Sequence, residues 1–121
     1  YFDGGCQPNP GKGYGSYQCV GPDFNYMASR VPFGERLTSN MAEYLSLIQA
    51  LKWLSHRDTN GDEVHIFTDS MLVCNQVQRR WKTKLWFLKD LKKDVLDLLE
   101  KYPGWRIQWV PRQENVKRFG H

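Results

Sequence analysis

The chain has 121 residues, 40% of them apolar and 25% charged, an ordinary composition for one soluble globular domain able to bury a core. Seventeen Lys and Arg against 13 acids leave a net charge of +4, a mild bias toward a polyanionic partner that solubility alone would also explain. No run of about 18 apolar residues is present to span a bilayer, and no signal-peptide pattern is visible. Cys6, Cys19 and Cys74 are odd in number and at no zinc-ligand spacing, so free thiols in a reducing, cytoplasmic compartment are expected. The chain lacks an initiator Met and opens inside a strand-like run; a single domain over residues 1–121 with trimmed ends is the expectation, and a monomer the default.

In chain order, Tyr1-Phe2-Asp3-Gly4-Gly5 reads as the end of a strand that carries an acid and then two glycines. Gln7 to Gly13 is a loop by its prolines and glycines. Tyr14 to Val20 alternates as a second strand, Gly21-Pro22-Asp23 turns, and Phe24 to Val31 reads as a third, with Phe24, Tyr26 and Ala28 on one face. A helix follows, capped by Asn40 with Glu43 as its capping-box partner, and carries Tyr44, Leu47, Ile48, Leu51 and Leu54 as an apolar stripe. Asn60-Gly61 is a turn, and Val64 to Thr68 a short buried strand ending at Asp69-Ser70. Helices are expected over Met71 to Arg79 and Lys84 to Lys101, the second with Leu88, Leu91, Val95, Leu98 and Tyr102 on one face and Pro103-Gly104 as its stop. Trp105 to Val110 is a fifth strand; Arg112 to His121 reads as a polar, basic tail. Three strands followed by helix-strand alternation predict an α/β domain with a mixed sheet and helices on its faces.

Three acids stand at element ends: Asp3 on strand one, Glu43 in the first turn of the first helix, Asp69 at the end of strand four. Strand ends are where ligands gather in such sheets. Glu43 as a capping residue and Asp69 as the N-cap of the next helix are the plainer alternatives. Neither explains an acid inside an aromatic strand followed by Gly-Gly, which is costly unless paired or bound to a cation. Converging carboxylates with no His or Cys pattern point to Mg²⁺ or Mn²⁺, and a pair of such ions suits phosphodiester cleavage.

The blocks Tyr1-Phe2-Asp3-Gly4-Gly5 with Asn9-Pro10-Gly11, Thr38-Ser39-Asn40-Met41-Ala42-Glu43-Tyr44 and Phe67-Thr68-Asp69-Ser70 resemble the type I ribonuclease H family in order and spacing across nearly the whole chain. The resemblance implies a ribonuclease H-like five-stranded mixed sheet of order 3-2-1-4-5, the first three strands antiparallel, flanked by helices. It implies an endoribonuclease that hydrolyses the RNA strand of RNA/DNA hybrids with two Mg²⁺ ions, for which Mn²⁺ substitutes, a metal-bound water attacking in line. Asp3, Glu43 and Asp69 would be the metal ligands. The family's fourth acid, on a C-terminal helix, has no match: Asn115 fits the motif, but Phe119 stands where the acid would be. His121 is the candidate fourth catalytic and metal ligand, with Glu114 a poorer fit.

For the hybrid, Asn9 and Asn40 match family positions on the RNA strand, Gln76 is similar, and Gly4 lies among the residues near the minor groove. Arg36 and Thr38 resemble a phosphate pocket for the DNA strand. Arg79 to Trp86 mixes four cations with Trp81 and Trp86, of which Trp81 is the expected contact and Trp86 a core residue. Trp53, Trp105 and Trp109 are assigned to the core. Two other readings stay open: a binding module of the same fold that does not cut, and the nuclease domain of a larger polymerase or polyprotein.

Overall fold

The protein is described by a computed structural model over residues 1–57 and 61–120. Its elements are β1 (Phe2–Gln7), β2 (Gly11–Gly21), β3 (Phe24–Leu37), α1 (Ser39–Ser55), β4 (Val64–Thr68), α2 (Met71–Val77), α3 (Trp86–Leu99), β5 (Trp105–Trp109) and α4 (Arg112–Phe119). The strands form one mixed sheet of order β3-β2-β1-β4-β5. Short connections make β1, β2 and β3 antiparallel neighbours, whereas helical crossovers bring β4 parallel to β1 and β5 parallel to β4. This is the sheet that the family resemblance implied.

The apolar stripe of α1 seats that helix on the sheet. Tyr44, Leu47, Ile48 and Leu51 are all buried, against Phe2 of β1, Ile66 of β4 and the α3 residues Leu88, Val95 and Leu99. Burial of about 1.5–3 kcal/mol per large side chain outweighs any single cap or surface ion pair here, so packing fixes where α1 lies. Two bare backbones allow the close approach. A Cβ on Gly4 would overlap the Ala42 carbonyl, and one on Gly15 would overlap the Ser46 hydroxyl. The glycine after Asp3 thus admits a helix. The Ser46 hydroxyl lies 2.7 Å from the Ala42 carbonyl and 3.0 Å from that of Asp3, tying helix to strand.

Several boundaries differ from the sequence reading. The cap of α1 is Thr38, not Asn40: Thr38 is extended, and its Oγ1 accepts from the Met41 amide at 3.2 Å. Ser70, not Asp69, caps α2, its hydroxyl accepting from the Val73 amide at 3.2 Å. That helix stops at Val77, and Arg79 beyond it takes a left-handed φ of 64°. β3 runs on past Val31 to Leu37 because it resumes pairing after irregularities near Arg30 (φ 53°) and Gly34 (φ 139°). The expected basic tail is instead α4. Pro111 opens it and Gly120, at φ 77°, closes it; its burial rests on just Asn115 and Phe119, too few for a periodicity to show.

Of the tryptophans assigned to the core, Trp53 and Trp105 pack against it, but Trp109 is 45% and Trp86 73% exposed. Trp109 lies at the end of the sheet's edge strand, and Trp86 opens α3 on its outer side. Asn60 of the expected turn lies outside the described residues. The three cysteines are free. No helix among the described residues is long and apolar enough to cross a membrane. A cavity of about 380 Å³ opens between α1 and the sheet, lined by Tyr1, Val20, Leu54 and His65; none of Asp3, Glu43 and Asp69 lines it.

A candidate metal centre at the ends of the central strands

β1 and β4 are neighbours in the middle of the sheet, joined in register at Phe2 and Thr68. The residue after each is an acid, so Asp3 and Asp69 come side by side. The contact of Gly4 with Ala42 sets the start of α1 above them, and Glu43, just past the first turn once Thr38 is the cap, projects from there. Its Oε2 accepts from the Gly4 amide at 3.1 Å. One carboxylate oxygen from each of Asp3, Glu43 and Asp69 lies within 4.8 Å of the others.

Three carboxylates at that spacing resist ionising together. Burial, then the charge on Asp69, raises the pKa of Asp3 from 3.8 to about 7. Burial first, then Asp3 and Asp69, pushes Glu43 well above the usual carboxylate range. Asp69 is raised too, by burial, although a hydrogen bond from the Asn115 side chain works against the rise. A divalent cation is what such a set fits: hard oxygen donors only, crowded, and charged at neutral pH only when something positive sits among them.

Two residues that the sequence reading passed over support the cluster. The Arg112 guanidinium lowers the pKa of all three carboxylates through its charge. A cation in the first turn of a helix is disfavoured by the helix dipole, so its place in α4 is explained by the acids it faces. The Trp109 indole N–H donates to the Asp69 carbonyl at 3.1 Å, holding the end of β4 from β5. Neither was legible beforehand, because α4 and the exposure of Trp109 were not. Asn115, matched from the motif, is fully buried; its Nδ2 also donates to the Phe2 carbonyl at 3.2 Å, so one amide ties α4 to both central strands.

Of the remaining candidates, Asn9 is exposed and its Oδ1 accepts from the Ser39 amide at 3.1 Å, which places the β1–β2 loop against the start of α1, beside Thr38 and Asn40. Arg36 is exposed at the end of β3. Trp81 is 46% exposed in the basic loop before α3. Gly4 has its amide engaged by Glu43 and its bare Cα against Ala42. Gln76 is buried, its Oε1 accepting from the Tyr44 hydroxyl at 2.7 Å. Glu114 is exposed in the first turn of α4 and Phe119 is buried. His121 lies outside the described residues.

The sequence matches the RNase H family profile over residues 1–115. It is 33% identical to Ribonuclease HI of Halobacterium salinarum over 117 residues, covering 97% of this chain and 58% of that one. It is 32% identical to a bifunctional protein of Mycobacterium tuberculosis over 115 residues, covering 94% of this chain and 31% of that one. The chain therefore spans just over half of the first relative and a third of the second. The crystal structure of RNase H1 from Halobacterium salinarum aligns with a TM-score of 0.82 at 32% identity, over 95% of this chain and 86% of that one. That of LC11-RNase H1 in complex with RNA/DNA hybrid aligns with a TM-score of 0.82 at 29% identity, over 97% and 87%. The match begins before the first acid and runs to the amide that steadies the last of them, on the same sheet throughout; the protein belongs to the RNase H family.

Proposed function

We propose that the protein is a divalent-metal-dependent endoribonuclease that cuts the RNA strand of RNA/DNA hybrids by a two-metal-ion mechanism. The observation that carries this reading is the meeting of Asp3, Glu43 and Asp69 within 4.8 Å on the ends of the central strands. Family membership and a hybrid-bound structural relative support the substrate. When bound, a pair of Mg²⁺ or Mn²⁺ ions would activate the attacking water and neutralise charge on the leaving oxygen.

The chain's own residues do the rest. Asp3, Glu43 and Asp69 would hold the ions. Asn115 and Trp109 hold Asp69 in place, and the charge on Arg112 opposes the rise in the acids' pKa values, easing their ionisation as the site loads. Asn9 and Asn40 would read the 2′-hydroxyls of the RNA strand, while Arg36, Thr38 and Trp81 carry the DNA strand. His121 and Glu114 are the candidates for a fourth ligand.

The test is a labelled hybrid incubated with Mg²⁺ or Mn²⁺. Cleavage to 3′-hydroxyl and 5′-phosphate ends, lost by about 10²-fold or more in Asp69→Asn, is expected. A second reading, a hybrid-binding module that does not cut, is favoured by one observation: buried Phe119 stands where the family's fourth acid would be. Binding without cleavage, unchanged by Asp69→Asn, would establish it. Since both curated relatives are longer, a domain of a larger protein is compatible with either.

A further inference from the structure

A second hollow of about 380 Å³ lies where the end of α2 meets the outer face of α3. Arg79, Lys89 and Lys92 line it, with Glu100 opposite. Lys93 and Asp97 also reach it but neutralise each other through an ion pair of 3.0 Å. The balance is positive by two charges: Arg79, Lys89 and Lys92 against Glu100. Thr83, also in the lining, is 8% exposed, and its Oγ1 has no hydrogen-bond partner among the described residues. A buried hydroxyl left unsatisfied costs stability unless something supplies the missing bond.

We propose that this hollow is a phosphate-binding site, with the Thr83 hydroxyl at its base and Arg79, Lys89 and Lys92 as its cationic wall. A cation is excluded by the charge balance. An apolar ligand would leave the hydroxyl unpaired. A phosphate group offers several acceptor oxygens, enough for one hydroxyl and two or three ammonium or guanidinium groups at once. The volume exceeds that of a lone phosphate, which fits a backbone phosphate with its flanking sugars. The strand that supplies it would pass along the Arg80–Leu85 loop and the start of α3, where Trp81, Leu85 and Trp86 are exposed. The proposal leans on the nucleic-acid reading only for the source of the phosphate, and inorganic phosphate tests the site without any cleavage.

The experiment is an amide NMR titration of the 121-residue protein with inorganic phosphate and, separately, with a short RNA/DNA hybrid in the absence of divalent ions. Amides of Thr83, Lys89 and Lys92 should shift together and saturate. Thr83→Val should weaken binding about fivefold and Lys92→Glu about tenfold, the second variant carrying the test if the first folds poorly. Lys52→Glu makes the same charge change on exposed α1 surface outside the hollow and should leave affinity within about twofold. Saturation by the hybrid identifies a backbone phosphate as the occupant, and saturation by inorganic phosphate alone identifies a free one. No shift at these amides with either ligand, or equal weakening by Lys52→Glu, overturns the proposal.

Discussion

At the scale of single residues, Asp3 shows the electrostatic cost that it shares with Glu43 and Asp69. Asp3 has a pKa of about 7 in the folded protein against 3.8 when unfolded, because burial and Asp69 disfavour its charge. The stability tied to its protonated form is complete below about pH 4 and is lost as pH rises through about 7. The metal-free protein should therefore melt at progressively lower temperature across that window. The loss is of order 2 kcal/mol once screening of a partly exposed group is allowed for. Asp3→Asn should make the profile shallower, Glu43 and Asp69 still titrating, and melt higher than the parent at pH 7. Added Mg²⁺ should restore the parent and leave the variant unchanged, which thermal melts across pH would record. Arg112 acts on the same equilibrium from outside. Arg112→Ala removes the charge that holds the three pKa values down, so the pH needed for half-maximal Mg²⁺ binding should move upward; calorimetric titration at several pH values would measure it.

At the scale of elements, the site exists because α1 lies unusually close to β1. Gly4→Ala forces a methyl into the Ala42 carbonyl, and relief requires sliding the helix that carries Glu43. The variant should lose about 1–3 kcal/mol in denaturant unfolding, with metal affinity falling beyond what the stability loss explains. Tyr14 faces Gly5 through its ring, and a ring tip moves more easily than a backbone carbonyl, so Gly5→Ala should cost less. Two glycines after an acid mark a place where something can come close to the backbone. What comes close was not legible, because a bare Cα admits a helix as readily as a ligand.

At the scale of the whole molecule, net charge and its placement govern encounter with a polyanion. Arg36 lies at the end of β3, and the cations around Trp81 lie beyond α2, so two separated patches would meet one hybrid. Binding should weaken with salt, and Arg36→Ala should lower the log–log salt slope by about one. Trp81→Ala should instead weaken binding with the slope retained, since an indole releases no counterion. Fluorescence anisotropy of a labelled hybrid from low to physiological salt separates the two.

The sequence alone determined what depends on local pattern. The α1 stripe, the strand alternation, the three acids at element ends and the spacing of the blocks around them are short-range signals, and the sheet order followed from the resemblance they carried. Tertiary structure alone decided what depends on distance in space. It made Thr38 the cap in place of Asn40, because the seat of α1 is set by packing. It turned a polar tail into α4, held by the burial of Asn115 and Phe119. It left Trp86 and Trp109 at the surface, where size and apolarity had argued for the core. Above all, it brought Asp3, Glu43 and Asp69 within 4.8 Å. Residues so far apart in sequence meet only because a parallel pair of strands and one close helix contact make their ends coincide.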